Sequence, residues 1–237
     1  MSRDARDVTT SFARTLVDEW VRGGVTDAVI APGSRSAPLA LALAADPRVR
    51  VHVHLDERSA AFVAVGLGRA TGRPAVVLCT SGSAAANFHP AVTEAFHGGV
   101  PLIVATADRP PEVRGTGAAQ TIDQVDLYGT AVRWAIDVAP PEDGPGAGGA
   151  WRELGATSVR RALGPVAGPV HLNLCFREPL VPTGAPLVDA PGRAGGAPWV
   201  EAPESTPGLD GLAVDLVATA CRAHPRALIV AGWGSEV

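Results

Sequence analysis

Four short stretches concentrate the residue types able to do chemistry. "PGSRS" at 32–36 sets Ser34 and Arg35 in a Pro/Gly turn beside a helix start. Such a turn either cradles an anion with helix N–H groups, hydroxyls and a guanidinium, or is an ordinary strand–helix connection with a solvated arginine. "LDERS" at 55–59 places Asp56 and Glu57 between a strand pattern and an alanine-rich helix pattern. A carboxylate there either meets the helix dipole, worth about 0.3–1 kcal/mol, or is an acid that reacts. Asp56 can itself be the cap, leaving Glu57 in the first turn. "TSGS" at 80–83 is small enough to let a ligand or another chain come close. "ATADRPPEVRGTGAAQTIDQ" at 105–124 holds Arg109 on a proline-stiffened loop, with Arg114, Gln120 and Gln124 adding polar reach. A structural Asp108–Arg109 pair is the other reading of that segment.

The elements that must position these residues alternate along the chain. "TSFARTLVDEWVRGG" reads as a helix with Thr10 or Ser11 as candidate cap, and "TDAVIA" as a buried strand. "APLALALAADP", "ERSAAFVAVGLGRATG", "AAANFHPAVTEAFHGG" and "AWRELGATSVRRALG" read as helices. "RVRVHVHL", "PAVVLC", "PLIVATA", "AVRWAIDV" and "GPVHLNL" read as strands. Continuous apolar strands alternating with helices predict an α/β fold, an open, mostly parallel sheet with helices on both faces. Ligands in such sheets sit outside the carboxyl ends of the strands, where all four stretches fall.

Two patterns carry less. "GLGRATG" has dinucleotide-like glycine spacing but falls late in a helix, which favours a packing role. "HVH" puts His52 and His54 on one strand face without a third ligand nearby, and His171 in "GPVHLNL" is equally ambiguous. No metal ligand set is assigned. Cys79, Cys175 and Cys221 lie far apart and read as reduced, small apolar residues. All 20 basic residues are arginine, which removes lysine chemistry and leaves guanidinium forks as the strong cationic binders.

The 237 residues, 46% hydrophobic and 19% charged, suffice for a sizeable core. A net charge of -4 argues against nucleic acid and anionic membranes, and no apolar run is long enough for a membrane span or a signal core. The cytoplasm is the expected compartment. Residues 178–207 are rich in Pro, Gly and Ala and read as a linker after a first domain at 1–177. Residues 208–237 read as the helix and strand that begin a second, truncated α/β domain.

In order, "PGSRS", "DER", "TSG" and "ADRPPE" resemble the N-terminal part of the thiamine diphosphate-dependent 2-succinyl-5-enolpyruvyl-6-hydroxy-3-cyclohexene-1-carboxylate synthases of menaquinone biosynthesis, over about residues 8–175. The resemblance implies a pyrimidine-binding domain followed by a central domain and a diphosphate-binding domain. It implies decarboxylation of 2-oxoglutarate and addition of the remainder to isochorismate. Glu57 would match the glutamate that hydrogen-bonds N1′ of the cofactor's aminopyrimidine ring and promotes loss of the thiazolium C2 proton. Pro32, Gly33, Thr80 and Asn87 would lie near that ring, and Ser34, Arg35, Arg109 and Gln120 would meet substrate carboxyl and hydroxyl groups. Ala119 stands where the family pattern expects an asparagine. The GDG segment that holds Mg2+ (or Mn2+) and the diphosphate does not occur in the sequence. The resemblance therefore places the metal on a domain missing from this chain, implies a homodimer or higher in the full-length protein, and leaves the fragment inactive alone. Two alternatives stand beside it: another thiamine diphosphate-dependent decarboxylase or acetolactate-type carboligase, and a non-catalytic α/β binding domain.

Overall fold

A computed structural model describes residues 4–183, 190–200, 211–226, 228 and 230. They divide into one unit through residue 201 and a second from residue 202.

The first helix, α1 (Ala5–Arg22), starts earlier than its pattern suggested, because Asp4 is the cap and accepts from the Arg6 N–H. Thr10, Ser11 and Thr15 lie inside the helix instead. Their hydroxyls donate to the carbonyls of Arg6, Asp7 and Ser11, four residues back, which lets polar side chains sit buried in a helix interior. There follow β1 (Asp27–Ile30), α2 (Ala37–Ala45), β2 (Arg50–Val53), α3 (Glu57–Thr71) and β3 (Ala75–Cys79). The next helical pattern splits at Phe88 into α4 (Ser83–Asn87) and α5 (His89–His97), with Pro90 in the first turn of the second. The unit closes with β4 (Leu102–Asp108), β5 (Trp134–Val138), α6 (Ala147–Leu163) and β6 (Pro169–Cys175).

The six strands form one sheet in the order β2-β1-β3-β4-β6-β5, and every pairing is parallel. Side chains alternate between its faces. Val76 and Leu78 face a core shared with α1, α2 and α6, whereas Ala75, Val77 and Cys79 face one shared with α3, α4 and α5. That double burial is why the central strands read as unbroken apolar runs. Gly68, within the "GLGRATG" segment, is a packing residue, since a Cβ there would lie 2.6 Å from the Pro101 carbonyl oxygen.

Residues 190–200, part of the stretch expected to be a linker, are pinned to the first unit. Arg22 donates to the carbonyls of Arg193 and Ala197, Arg152 to that of Ala190, and the Trp199 N–H to Glu19. Arg152 also pairs with Asp18 and with the fully buried Glu19. In the second unit α7 (Gly211–Ala223) leaves Leu212, Leu216 and Val217 exposed. The strand expected at "RALIVAGWG" lies almost wholly outside the described residues. Cys79 and Cys175 are buried, but Cys221 on α7 is exposed, so the reading as buried apolar residues holds for two of the three. No described helix is long and apolar enough to cross a membrane.

Candidate functional site

From β1 the chain moves outward to β2, then returns to β3 on the other side of β1. The direction of winding therefore reverses at β1, and the carboxyl edge at such a switch point is where sheets of this kind take their ligands. The β1 and β3 loops meet closely there. A Cβ on Gly33 would lie 2.3 Å from Thr80 Cβ, a separation no two carbons tolerate, so only glycine fits there. Thr80 is buried and Pro32 and Ser34 are exposed.

Glu57 is the first residue of α3 and is half-buried. Capping is done by its neighbour: Asp56 Oδ1 accepts from the Ser59 N–H at 2.7 Å. Among the described residues the Glu57 carboxylate has no hydrogen-bond partner. Its charge reaches across to β3, where burial first and Glu57 second push the Cys79 thiol well up. A half-buried carboxylate relieved of capping duty is left free to hydrogen-bond a bound group.

Farther along the edge, the loop after β4 folds back over the β3 loop. Ser81 Oγ donates to the Gln120 carbonyl at 2.8 Å, and a Cβ on Gly82 would sit 3.0 Å from the same oxygen. Gln120 adopts a φ of 59° and is exposed. Arg109 donates to the Ala119 carbonyl at 3.2 Å, while its Nε is buried without a partner among the described residues. Arg35 is buried and turns toward the end of β6, donating to the Phe176 carbonyl and to Glu178. Asn87 spends its amide on the Ser83 carbonyl of its own helix and is exposed. The edge thus gathers Gly33, Thr80 and Glu57 around the switch point, with Arg109 and Gln120 on the adjoining loop.

Beneath these loops runs a polar network that the motif reading touched at Asp108, Arg114 and Gln124 but did not assemble. Gln124 Oε1 accepts from the Gly82 N–H at 2.8 Å, and its Nε2 donates to the Ala107 carbonyl and to Asn173. Asn173 donates in turn to Asp108 at 2.9 Å and Asp137 at 2.8 Å, and accepts from Thr106. The Arg114 guanidinium lies 2.7 Å from both carboxylates and 2.9 Å from Cys175 Sγ. Asp108, Asp137 and Cys175 bring ligand-type atoms within 4.8 Å of one another, but the cation they hold is Arg114. Hydrogen bonding to that guanidinium holds Asp137 below the usual carboxylate range, and burial pushes the Cys175 thiol up to about 12. The signal available in sequence was His171, Asn173 and Cys175 at every second position of an apolar strand. Polar residues sharing one face of a buried strand need partners.

The histidines have structural roles. His52 Nε2 lies 2.9 Å from Asp27, which also pairs with Arg50. His171 is buried against the Tyr128 ring, with Nε2 2.8 Å from Thr106 Oγ1. Burial lowers its pKa from 6.5 to about 4, opposed by the charge of Asp137. Between these values the unfolded chain binds a proton that the folded chain does not. Stability therefore falls as pH drops through that window, by up to about 1.4 kcal/mol per pH unit. Urea midpoints measured between pH 7 and 5 should fall for the chain and fall less for His171→Gln; equal slopes would remove His171 as the cause.

The chain's residues 8–127 match a family profile described as the thiamine pyrophosphate enzyme, N-terminal TPP binding domain. The chain belongs to this family. The parallel sheet is therefore that of a thiamine pyrophosphate-binding N-terminal domain. Several curated relatives bear the name 2-succinyl-5-enolpyruvyl-6-hydroxy-3-cyclohexene-1-carboxylate synthase. That of Thermobifida fusca is 59% identical over 192 residues, covering 81% of this chain and 33% of the relative. That of Roseiflexus castenholzii is 50% identical over 230 residues, covering 93% and 40%. The Haloarcula marismortui protein is 48% identical over 241 residues, covering 96% and 41%. The matched part is thus well under half the length of these relatives.

Proposed function

We propose that this chain is the pyrimidine-binding part of an enzyme of menaquinone biosynthesis that decarboxylates 2-oxoglutarate and joins the remainder to isochorismate. The observation carrying the proposal is Glu57: half-buried, unpartnered among the described residues, and spared capping by Asp56 at the switch of the sheet. Membership of the thiamine pyrophosphate family and the names of its relatives support the same reading.

Thiamine diphosphate, when bound, supplies the electron sink for decarboxylation and carbon–carbon bond formation. Pro32, Gly33, Thr80 and Asn87 would hold its pyrimidine ring, Gly33 being the residue that lets the β1 loop approach Thr80 so closely. Glu57 would hydrogen-bond the ring and hold or release a proton at its carboxyl oxygen. Ser34, Arg35, Arg109 and Gln120 orient the substrates, whose several carboxylates suit guanidinium donors with N–H groups to spare. Mg2+ or Mn2+ and the diphosphate are held by residues other than these, since no GDG segment occurs in the sequence. The assembled enzyme is a homodimer or larger, working in the cytoplasm.

Arg109 separates this reading from a simpler decarboxylase or acetolactate-type carboligase, whose acceptor, a proton or a small 2-oxo acid with a single carboxylate, needs fewer cationic contacts. In the full-length enzyme Arg109→Ala should raise the KM for isochorismate about 10- to 100-fold, the loss expected for a charged hydrogen bond. An unchanged KM would favour the simpler carboligase.

A further inference from the structure

Arg35 is a buried cation with an exposed partner. Its side chain is 6% exposed, whereas that of Glu178 is 69% exposed. Nη1 donates to the Phe176 carbonyl at 2.9 Å and Nη2 to Glu178 Oε1 at 2.9 Å. Nε is buried with no partner among the described residues. Nε and Nη2 lie side by side on the guanidinium and together form the fork that takes both oxygens of a carboxylate. Glu178 uses one prong of that fork and leaves the other idle.

The two contacts differ in how readily they exchange. Phe176 is fully buried, and its N–H donates to the Asp108 carbonyl at 3.1 Å. Arg177 is tied to Glu112 by bonds of 2.6 and 3.1 Å. The backbone grip on Nη1 is therefore fixed, while the Glu178 side chain can turn into water. Asp108 is followed by Arg109, whose Nε is likewise buried and unpartnered, so both arginines abut the adjoining ends of β4 and β6.

We infer that Glu178 is an internal stand-in for a ligand carboxylate. It neutralises and orients the Arg35 guanidinium when no carboxylate ligand is bound, and yields Nη2 to a ligand that can also satisfy Nε. A carboxylate able to bridge both prongs gains a hydrogen bond that Glu178 does not make, whereas a monodentate anion gains nothing by the exchange. Glu178 is thus a specificity-setting residue that raises the threshold for occupying Arg35. The inference rests on the reading that Arg35 meets a substrate carboxylate.

The test is isothermal titration of the 237-residue chain with 2-oxoglutarate at fixed ionic strength. Glu178→Gln keeps an acceptor for Nη2 but removes the competing charge, and should bind about tenfold more tightly than the parent chain. Arg35→Ala should abolish binding in both backgrounds. If Arg35→Ala lacks a cooperative thermal transition, Arg35→Gln takes its place. Equal affinity of parent and Glu178→Gln, with binding still lost on Arg35 replacement, overturns the stand-in while keeping Arg35 as a ligand-binding residue. Binding that survives loss of Arg35, or no binding by any form, overturns the inference together with the role of Arg35. None of these results depends on turnover, so failure of the carboligase reading is read separately, from the activity of Glu57 variants.

Discussion

In the full-length enzyme, Glu57→Gln should lower kcat by about 10²- to 10⁴-fold, the range typical for removing a positioned acid or base. The substitution is nearly isosteric, and an amide still offers a hydrogen-bond acceptor, but it cannot hold and release the proton that the proposed role requires. The helix start does not depend on Glu57, because the cap bond to Ser59 comes from Asp56. The two residues therefore give opposite signatures. Asp56→Ala should cost about 1 kcal/mol of stability through the lost cap, with little effect on turnover beyond that loss. Glu57→Gln should leave the thermal transition of the chain nearly unchanged and remove activity. Turnover unaltered by Glu57→Gln would return that residue to the role of a helix-dipole carboxylate and leave a non-catalytic binding domain as the better account.

How far the molecule was legible in its sequence depended on which physical signal each part carried. The parallel sheet was legible because β3 and β4 are buried on both faces, so each reads as a continuous apolar run that needs helices on either side. The loops at the carboxyl edge followed from the strands. The order of the strands did not, since nothing local in a run such as "AVVLC" says that β3 returns beside β1. Which carboxylate caps α3 was also open, because adjacent acidic residues can each serve and only the geometry gives the task to Asp56. Arg35 was legible as a candidate anion binder but not its burial or its grip on the end of β6, a contact spanning more than a hundred residues. The least legible part was the network under the loops. Asp108, Arg114, Asp137 and Asn173 are brought together by three neighbouring strands and a loop; sequence offered Asp108 as a partner of Arg109 and Arg114 as polar reach, but nothing that joined them to Asp137 and Asn173.

That network is where a single change should cost the fold most. Asp108 is fully buried, and its carboxylate meets the Arg109 N–H at 2.7 Å, Arg114 Nη2 at 2.7 Å and Asn173 Nδ2 at 2.9 Å. Asp108→Ala removes the charge that compensates a partly buried guanidinium and strands two further donors. Breaking a buried pair typically costs about 3–5 kcal/mol, because the surviving charge has lost both water and partner. Arg114 keeps Asp137, which is one-third exposed and bonds it at 2.7 and 2.8 Å, so the lower end of that range applies. A loss of about 3 kcal/mol in a unit of this size lowers Tm by about 6–12 °C. Asp108→Asn, which keeps the shape and one acceptor, should cost less than Asp108→Ala, and Asp137→Ala less than either, since water can replace its exposed oxygens. Melting curves for the three variants order these contributions. An Asp108→Ala chain that melts with the parent would mean that Asp137 alone compensates Arg114, and that Arg114 and Asp137 rather than Asp108 seat the loop bearing Arg109 and Gln120.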